Sequence, residues 1–232
     1  MLAKKKQLII ILIKSLRIVR HIPQRGTTKA PMLRILITLI VFCTHLATAQ
    51  ETSYITRIFG GHNSIAMSIY PEAKMKTRPG VVVGVGLGKK LQDFIFLEGE
   101  VSYRYNETGN ITIHGKNKQF VLPVHGDVTS LTFIGNVIFE LPMDVRIKPY
   151  MGTGIGCTAQ YANWSINVIE DSAWYDYEGG GSFAYTYQLI AGIRTPISQS
   201  YYCCAEVRLL DSVLDHMCEN NRSIIFSFNK TF

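Results

Sequence analysis

The feature that most constrains this chain is a regular alternation of apolar and polar residues. From Phe94 to Tyr105 one face carries Ile95, Leu97, Gly99, Val101, Tyr103 and Tyr105, and the other carries Glu98, Glu100, Ser102 and Arg104. Residues two apart share a face in a β-strand, so this period of two predicts a strand. Because a tilted strand crosses a bilayer in about 9–11 residues, the segment is long enough to span a membrane.

Seven more segments alternate in the same way. They are 64–70, 81–88, 130–139, 146–155, 185–194, 205–209 and 224–232. Short connections (89–93, 141–144 and 196–200) alternate with longer polar or glycine-rich ones (70–79, 106–127, 159–182 and 211–221). This rhythm predicts an all-β fold, an eight-stranded antiparallel transmembrane β-barrel of up-and-down connectivity, with both termini at the end that carries the short turns.

The chain has a net charge of +7, but the charge is unevenly distributed. Residues 1–49 hold nine Lys/Arg and no Asp/Glu, which leaves 15 Lys/Arg against 17 Asp/Glu in residues 50–232. A slightly acidic body does not favour a nucleic-acid partner, which requires a basic surface.

The N-terminal region is predicted to be a targeting segment. Met32–Arg34 begins with a positive charge, Ile35–Cys43 is mostly apolar, and Ala47-Thr48-Ala49 fits a small-x-small cleavage site. We therefore expect a signal peptide at 32–49 and the barrel at 50–232. Residues 1–31 are either an upstream extension or part of the leader, and the true start is Met1 or Met32.

The polar face of the predicted strands carries charges of both signs. They are Glu98, Glu100, Arg104, Arg146, Lys148, Arg194, Glu206 and Arg208. We expect these side chains to line the lumen as an ion-pair network, with the apolar face toward lipid. Because an eight-stranded barrel is about filled by its own side chains, a plug is favoured over a channel. A soluble calyx barrel, the alternative, would place the apolar face inside around a ligand.

Inward glycines offer a second explanation of two glycine-rich runs. Gly84, Gly86 and Gly88, like Gly152, Gly154 and Gly156, resemble phosphate-binding loops only in spacing, because a dinucleotide fingerprint needs a helix after the strand. We interpret these glycines as making room for long side chains across the lumen. No cofactor is predicted.

Four cysteines follow the leader: Cys157, Cys203, Cys204 and Cys218. Their spacing fits no zinc pattern, and no metal site is predicted. Adjacent Cys203 and Cys204 should point to opposite faces of a strand, and the pairing of the four stays open.

Two predicted loops carry residues that could form functional sites. Trp174, Tyr175 and Tyr177 form an aromatic, acidic segment before three glycines, and they are the best candidates for contact with a partner. His216 lies near Asp211 and Asp215, but no nucleophile motif accompanies it, so no catalytic residue is assigned.

Several short motifs carry a family resemblance. Residues 148–156 (KPYMGTGIG) resemble a PYxGxGIG strand of the OmpA-like and opacity-family outer-membrane barrels. Residues 187–193 and 98–104 are similar to other strands of that family, and Phe232 resembles its terminal aromatic residue. The rickettsial surface-antigen barrels are the nearest group, although Cys203-Cys204 and residues 229–232 depart from the usual pattern.

The resemblance implies a location and partners. It implies a bacterial outer-membrane protein in contact with lipid, recognised by the barrel-assembly machinery through Phe232. The implied role is structural, with loop-mediated adhesion to host-cell surface molecules or exposure as a surface antigen, and without enzymatic activity. The alternatives are a soluble periplasmic calyx that binds a small ligand and a small outer-membrane lipid-modifying enzyme, with His216 as its one candidate residue.

Overall fold

The computed structural model describes residues 53–69, 73–114, 119–143, 145–168, 173–177, 181–214 and 217–232. The predicted leader and upstream extension lie outside the described residues. Ten strands are present in these ranges: β1 Tyr54–Ile69, β2 Ala73–Thr77, β3 Gly80–Gln92, β4 Ile95–His114, β5 Gln119–Glu140, β6 Lys148–Val168, β7 Ala173–Tyr177, β8 Gly181–Pro196, β9 Tyr201–Leu214 and β10 Met217–Thr231. No helix in the described ranges has the length and apolar character needed to cross a bilayer.

Eight of these strands form a closed antiparallel ring in the order β1-β3-β4-β5-β6-β8-β9-β10. The ring closes where β10 pairs with β1, from Ile55 opposite Thr231 to Ile69 opposite Met217. The two short strands extend it, since β2 lies between β1 and β4, and β7 pairs with β6. The predicted eight-stranded, up-and-down barrel is confirmed.

The start of β1 and the end of β10 lie at the end of the barrel with short connections. The Phe232 N–H donates to the Tyr54 carbonyl at 2.9 Å, which joins the two edges of the ring there. The connections at this end are the turn at 93–94 and residues 141–147 and 197–200. In outer-membrane barrels short turns face the periplasm, and the opposite end of this ring is called its outer side below.

The strands continue well past their predicted ends on the outer side. Most of 106–127 and 159–182, predicted as loops, is strand, because β4 ends at His114, β5 begins at Gln119 and β6 ends at Val168. Here the alternation is inverted, with an apolar cluster inside and polar residues outside. The cluster consists of Ile65, Met67, Met75, Ile111, Ile113, Val124, Val128 and Trp164. Because apolar residues are expected to point outward, strands whose outward residues are polar are predicted as polar loops.

The first strand also differs from the prediction. It begins at Tyr54 rather than Ser64. Its inward positions mix apolar Ile55 and Phe59 with polar Arg57 and Asn63, all buried. Because inward and outward residues do not separate by polarity, the alternation that marks the other strands is absent.

The two faces of the barrel have opposite chemistry. On the outside, Ile155 is 77% and Tyr185 79% exposed, whereas Arg104 and Arg208 are fully buried inside. An apolar outer face excludes the calyx alternative, which needs its charges outside and an apolar interior.

Inward glycines leave space for facing groups. A Cβ on Gly84 would collide with the ring of Phe59, and one on Gly192 would lie 2.7 Å from the Tyr150 ring. Of the glycines interpreted as clearance, Gly84, Gly86 and Gly154 lie against side chains, whereas Gly88, Gly152 and Gly156 lie nearest to backbone carbonyls of the paired strand.

The glycine at 156 permits a close backbone approach that can be tested. A Cβ there would meet the Phe133 carbonyl oxygen and lie 2.7 Å from the Ile134 Cα, so the backbone itself would have to move. We expect Gly156→Ala to lower the free energy of unfolding by roughly 1–3 kcal/mol, measured by urea titration of the barrel in lipid vesicles. Gly135→Ala is the control, since its Cβ has no neighbour nearer than 4.0 Å. Equal losses in the two variants would contradict this packing.

Candidate functional site

The centre of the lumen holds a cluster of buried charges from three strands. Arg57 lies on β1, Glu98 and Glu100 lie on β4, and Glu206 and Arg208 lie on β9. Each pair of positions two apart points inward because the strand period is two. All five side chains are buried.

The charges in this central cluster are paired across the lumen. Arg208 contacts Glu100 through Nη1–Oε2 at 2.5 Å and Glu206 through Nε–Oε2 at 2.8 Å. Arg57 contacts Glu98 through Nη1–Oε1 at 3.4 Å, and its Nη2 contacts Glu206 Oε1. These contacts connect β1, β4 and β9 on different sides of the ring.

Neutral polar side chains complete the central cluster. The Tyr150 hydroxyl donates to Glu206 Oε1 at 2.6 Å. Asn136 Nδ2 donates to Glu98 at 3.3 Å and to Glu100 at 3.2 Å, and Gln188 Nε2 donates to Asn136 Oδ1 at 2.6 Å. Since buried carboxylates need hydrogen-bond donors as well as counter-charges, these residues stabilise the ionised cluster.

A second ionic group lies near the short-turn end. Glu140 contacts Arg194 Nη1 at 2.5 Å and Lys148 Nζ at 3.5 Å. The Arg194 guanidinium lies over the rings of Tyr202 at 4.3 Å and Phe96 at 4.6 Å. The aromatic rings and the carboxylate together close this end of the lumen around one arginine.

On the outer side of the central cluster, hydroxyl groups form a circumferential chain. Arg104 Nη1 donates to Ser102 at 3.0 Å and to Thr132 at 2.9 Å. The hydroxyls of Thr132 and Thr158 lie 3.0 Å apart, those of Thr158 and Thr186 2.7 Å, and those of Thr186 and Ser212 3.0 Å. This chain links five neighbouring strands, β4, β5, β6, β8 and β9.

The structure changes part of the predicted network. The assignment of Arg146 to the lumen is wrong, because β6 begins at Lys148 and Arg146 is exposed in the preceding turn. Lys148 lies at the rim, with 43% of its side chain exposed. Arg57 and Glu140 were not assigned to the lumen from the sequence. Glu140 is the next inward position of β5 after the predicted end of that strand, so continuing the alternation would have identified it.

The predicted contact residues lie in a strand rather than in a loop. Trp174, Tyr175 and Tyr177 belong to β7, and their backbones face Asn167, Ile166 and Trp164 of β6. His216 lies outside the described residues. In the described part of the chain, no group of three His, Cys, Asp or Glu side chains is placed to hold a metal ion.

The cysteines agree with the strand geometry. Cys203 is exposed and Cys204 is buried, so the adjacent residues take opposite faces, as predicted. Cys157, Cys203 and Cys204 are free thiols.

The lumen around the central cluster is nearly filled. A cavity of about 10 Å³ lies between Arg57, Glu98, Tyr150, Arg194 and Cys204. That volume accommodates about one water molecule. At this level the lumen is therefore closely packed with paired charges, as the predicted plug requires.

Arg208 forms ion pairs with two carboxylates of the central cluster, those of Glu100 and Glu206. We expect Arg208→Met to cost roughly 3–5 kcal/mol of unfolding free energy in lipid vesicles, because Glu100 would stay buried without its ion-pair partner and Glu206 would keep only Arg57. Adding Glu100→Gln should restore part of the loss. Arg146→Met, at an exposed position, is the matched control. A loss in Arg208→Met no larger than in the control would contradict the plug.

Comparison with known proteins supports the fold. No family model and no curated protein sequence matches the chain. Neisserial surface protein A has a similar structure, with a TM-score of 0.52 and 12% identity over 78% of this chain and 100% of that chain. Ail, the attachment invasion locus protein of Yersinia pestis, gives 0.48 and 10% over 78% and 99%. The outer membrane protease OmpT of Escherichia coli gives 0.48 and 8% over 80% and 99%.

At 12% identity, the likeness to Neisserial surface protein A shows the fold and not the activity. Because the ring of eight strands is closed, it exposes no sheet edge to lipid. Its outer face is apolar. The chain therefore has the fold of the eight-stranded outer-membrane β-barrels.

Proposed function

We propose that this chain is a non-enzymatic surface protein whose barrel serves envelope structure and whose outer hairpins contact host-cell surface molecules or are exposed as antigens. The observation that carries the proposal is the length of the hairpins. β4 continues from Tyr105, the last outward aromatic residue of the apolar band, to His114. At about 3.3 Å per residue, the hairpin reaches roughly 30 Å further along the strand.

The interior of this extension supports a role in contact. The apolar cluster around Ile111, Val124 and Trp164 packs inside the extended strands, as a small core above the bilayer. A packed core holds the outer surface in one shape, which suits a binding platform. Trp174, Tyr175 and Tyr177 are proposed as contact residues, since aromatic side chains dominate many protein interfaces.

The lumen supports a structural role over transport or catalysis. The carboxylates of Glu98, Glu100 and Glu206 are each engaged by arginine, so they are unsuited to act as proton donors or acceptors for a substrate. At the periplasmic end, Phe232 is 52% exposed, which suits the proposed recognition by the assembly machinery.

A filled lumen predicts the absence of steady ion conduction. We expect the barrel refolded into planar bilayers to show no stable current steps, because the charged layer leaves room for about one water. Stable ohmic current steps that appear with the parent protein and are absent from protein-free bilayers would contradict the plug.

The contact role is tested in a bacterium that displays the chain in its outer membrane. We expect adhesion to cultured host cells to fall to the background of non-expressing bacteria when Trp174, Tyr175 and Tyr177 are replaced by alanine. Ile197→Ala, an exposed position in a turn at the opposite end, should leave adhesion unchanged. No adhesion by the parent, or full adhesion by the triple variant, would count against the proposal.

A further inference from the structure

An open cleft of about 390 Å³ lies on the outer surface of the barrel, above the apolar band. It lies where β2 pairs with β4 and where β4 continues toward β5. Its lining includes Lys76, Arg78, Asn110, Thr112 and Val121.

Two register irregularities form the cleft. The pairing of β2 with β4 shifts between Lys76 and Thr77, and the pairing of β4 with β5 shifts between Glu107 and Asn110. Such bulges redirect side chains and locally bend the strand. Thr77 anchors the bend, because its hydroxyl lies 3.1 Å from the Ile65 N–H and donates to the Ile65 carbonyl at 3.2 Å.

The charges at this cleft are mainly positive. Lys74, Lys76 and Arg78 are two residues apart and all are exposed, so they share the outward face. Arg78 contacts Glu107 at 3.3 Å, and Asp127 faces Glu107 in the register. Both members of the Arg78–Glu107 pair are more than half exposed, so water screens their attraction and leaves Arg78 available to an anion.

The height of the cleft indicates what reaches it. Outward Tyr103 and Tyr105 mark the upper edge of the apolar band, where aromatic girdles meet the headgroups. The Arg78 N–H donates to the Glu107 carbonyl at 2.9 Å, and Glu107 lies two residues beyond Tyr105, roughly 7 Å along the strand. The lower edge of the cleft, at Arg78, therefore lies at the level of the lipid headgroups, and Lys76, Asn110 and Thr112 lie further from the apolar band.

We propose that this cleft binds the phosphate-bearing headgroup of an outer-leaflet lipid. Lys76 and Arg78 supply the cationic donors for the phosphate, and Asn110 and Thr112 supply an amide and a hydroxyl for sugar or ester oxygens. The site concerns the lipid around the barrel and is independent of contact with host molecules.

The test is native mass spectrometry of the folded barrel in a neutral detergent. The probes are lipid A, a bis-phosphorylated disaccharide lipid, its dephosphorylated form and inorganic phosphate. We expect lipid A to be retained in preference to both others. The double substitution Lys76→Gln with Arg78→Gln should weaken its binding roughly thirty-fold, since each basic residue near an anionic lipid surface contributes substantially.

The matched control replaces Lys89 and Lys90, at the opposite end of β3, by glutamine, and it should leave lipid A binding unchanged. Equal retention of lipid A by the Lys76/Arg78 variant would overturn the proposal. Equal retention of the dephosphorylated lipid would also overturn the proposal, because the cleft would then not recognise the phosphate. If inorganic phosphate binds as tightly as lipid A, the source of the anion is not a lipid and the proposal fails.

Discussion

Inside a bilayer no water is available to the backbone, so every strand N–H and C=O must find a partner within the protein. The pairing of β10 with β1 meets this requirement, because it joins the last strand to the first along fifteen opposed residue pairs. Once the ring is closed, each strand has one face toward lipid and one toward a narrow lumen. The chemistry of both faces follows from that division, with the apolar residues outside and the charges inside.

The narrow lumen then determines how the charges are arranged. An uncompensated buried charge costs several kcal/mol, so inward ions persist only where counter-charges and hydrogen-bond donors reach them. Arg57 and Arg208 meet three glutamates, and Asn136 and Tyr150 donate to the same carboxylates. Glycines opposite bulky groups, such as Gly192 beside Tyr150, provide the space for this packing.

The alternation in Phe94–Tyr105 is sufficient to predict the strand, which of its faces is polar, and its three buried charges, Glu98, Glu100 and Arg104. The prediction failed where polarity no longer separates the faces, as on β1, where Ile55 and Phe59 lie inside with Arg57. It also failed above the membrane, where an inward apolar cluster inverts the pattern. Arg146 has the correct parity for the lumen, but parity does not define where β6 begins.

The central claim is that the chain closes into a ring with its apolar face toward lipid. Gel mobility in SDS, compared without heating and after boiling, tests this most directly. Because SDS does not readily open a closed ring of paired strands, the unheated protein from the membrane fraction should migrate as a folded form and shift on boiling. A single mobility under both conditions, together with extraction from cells without detergent, would contradict the account.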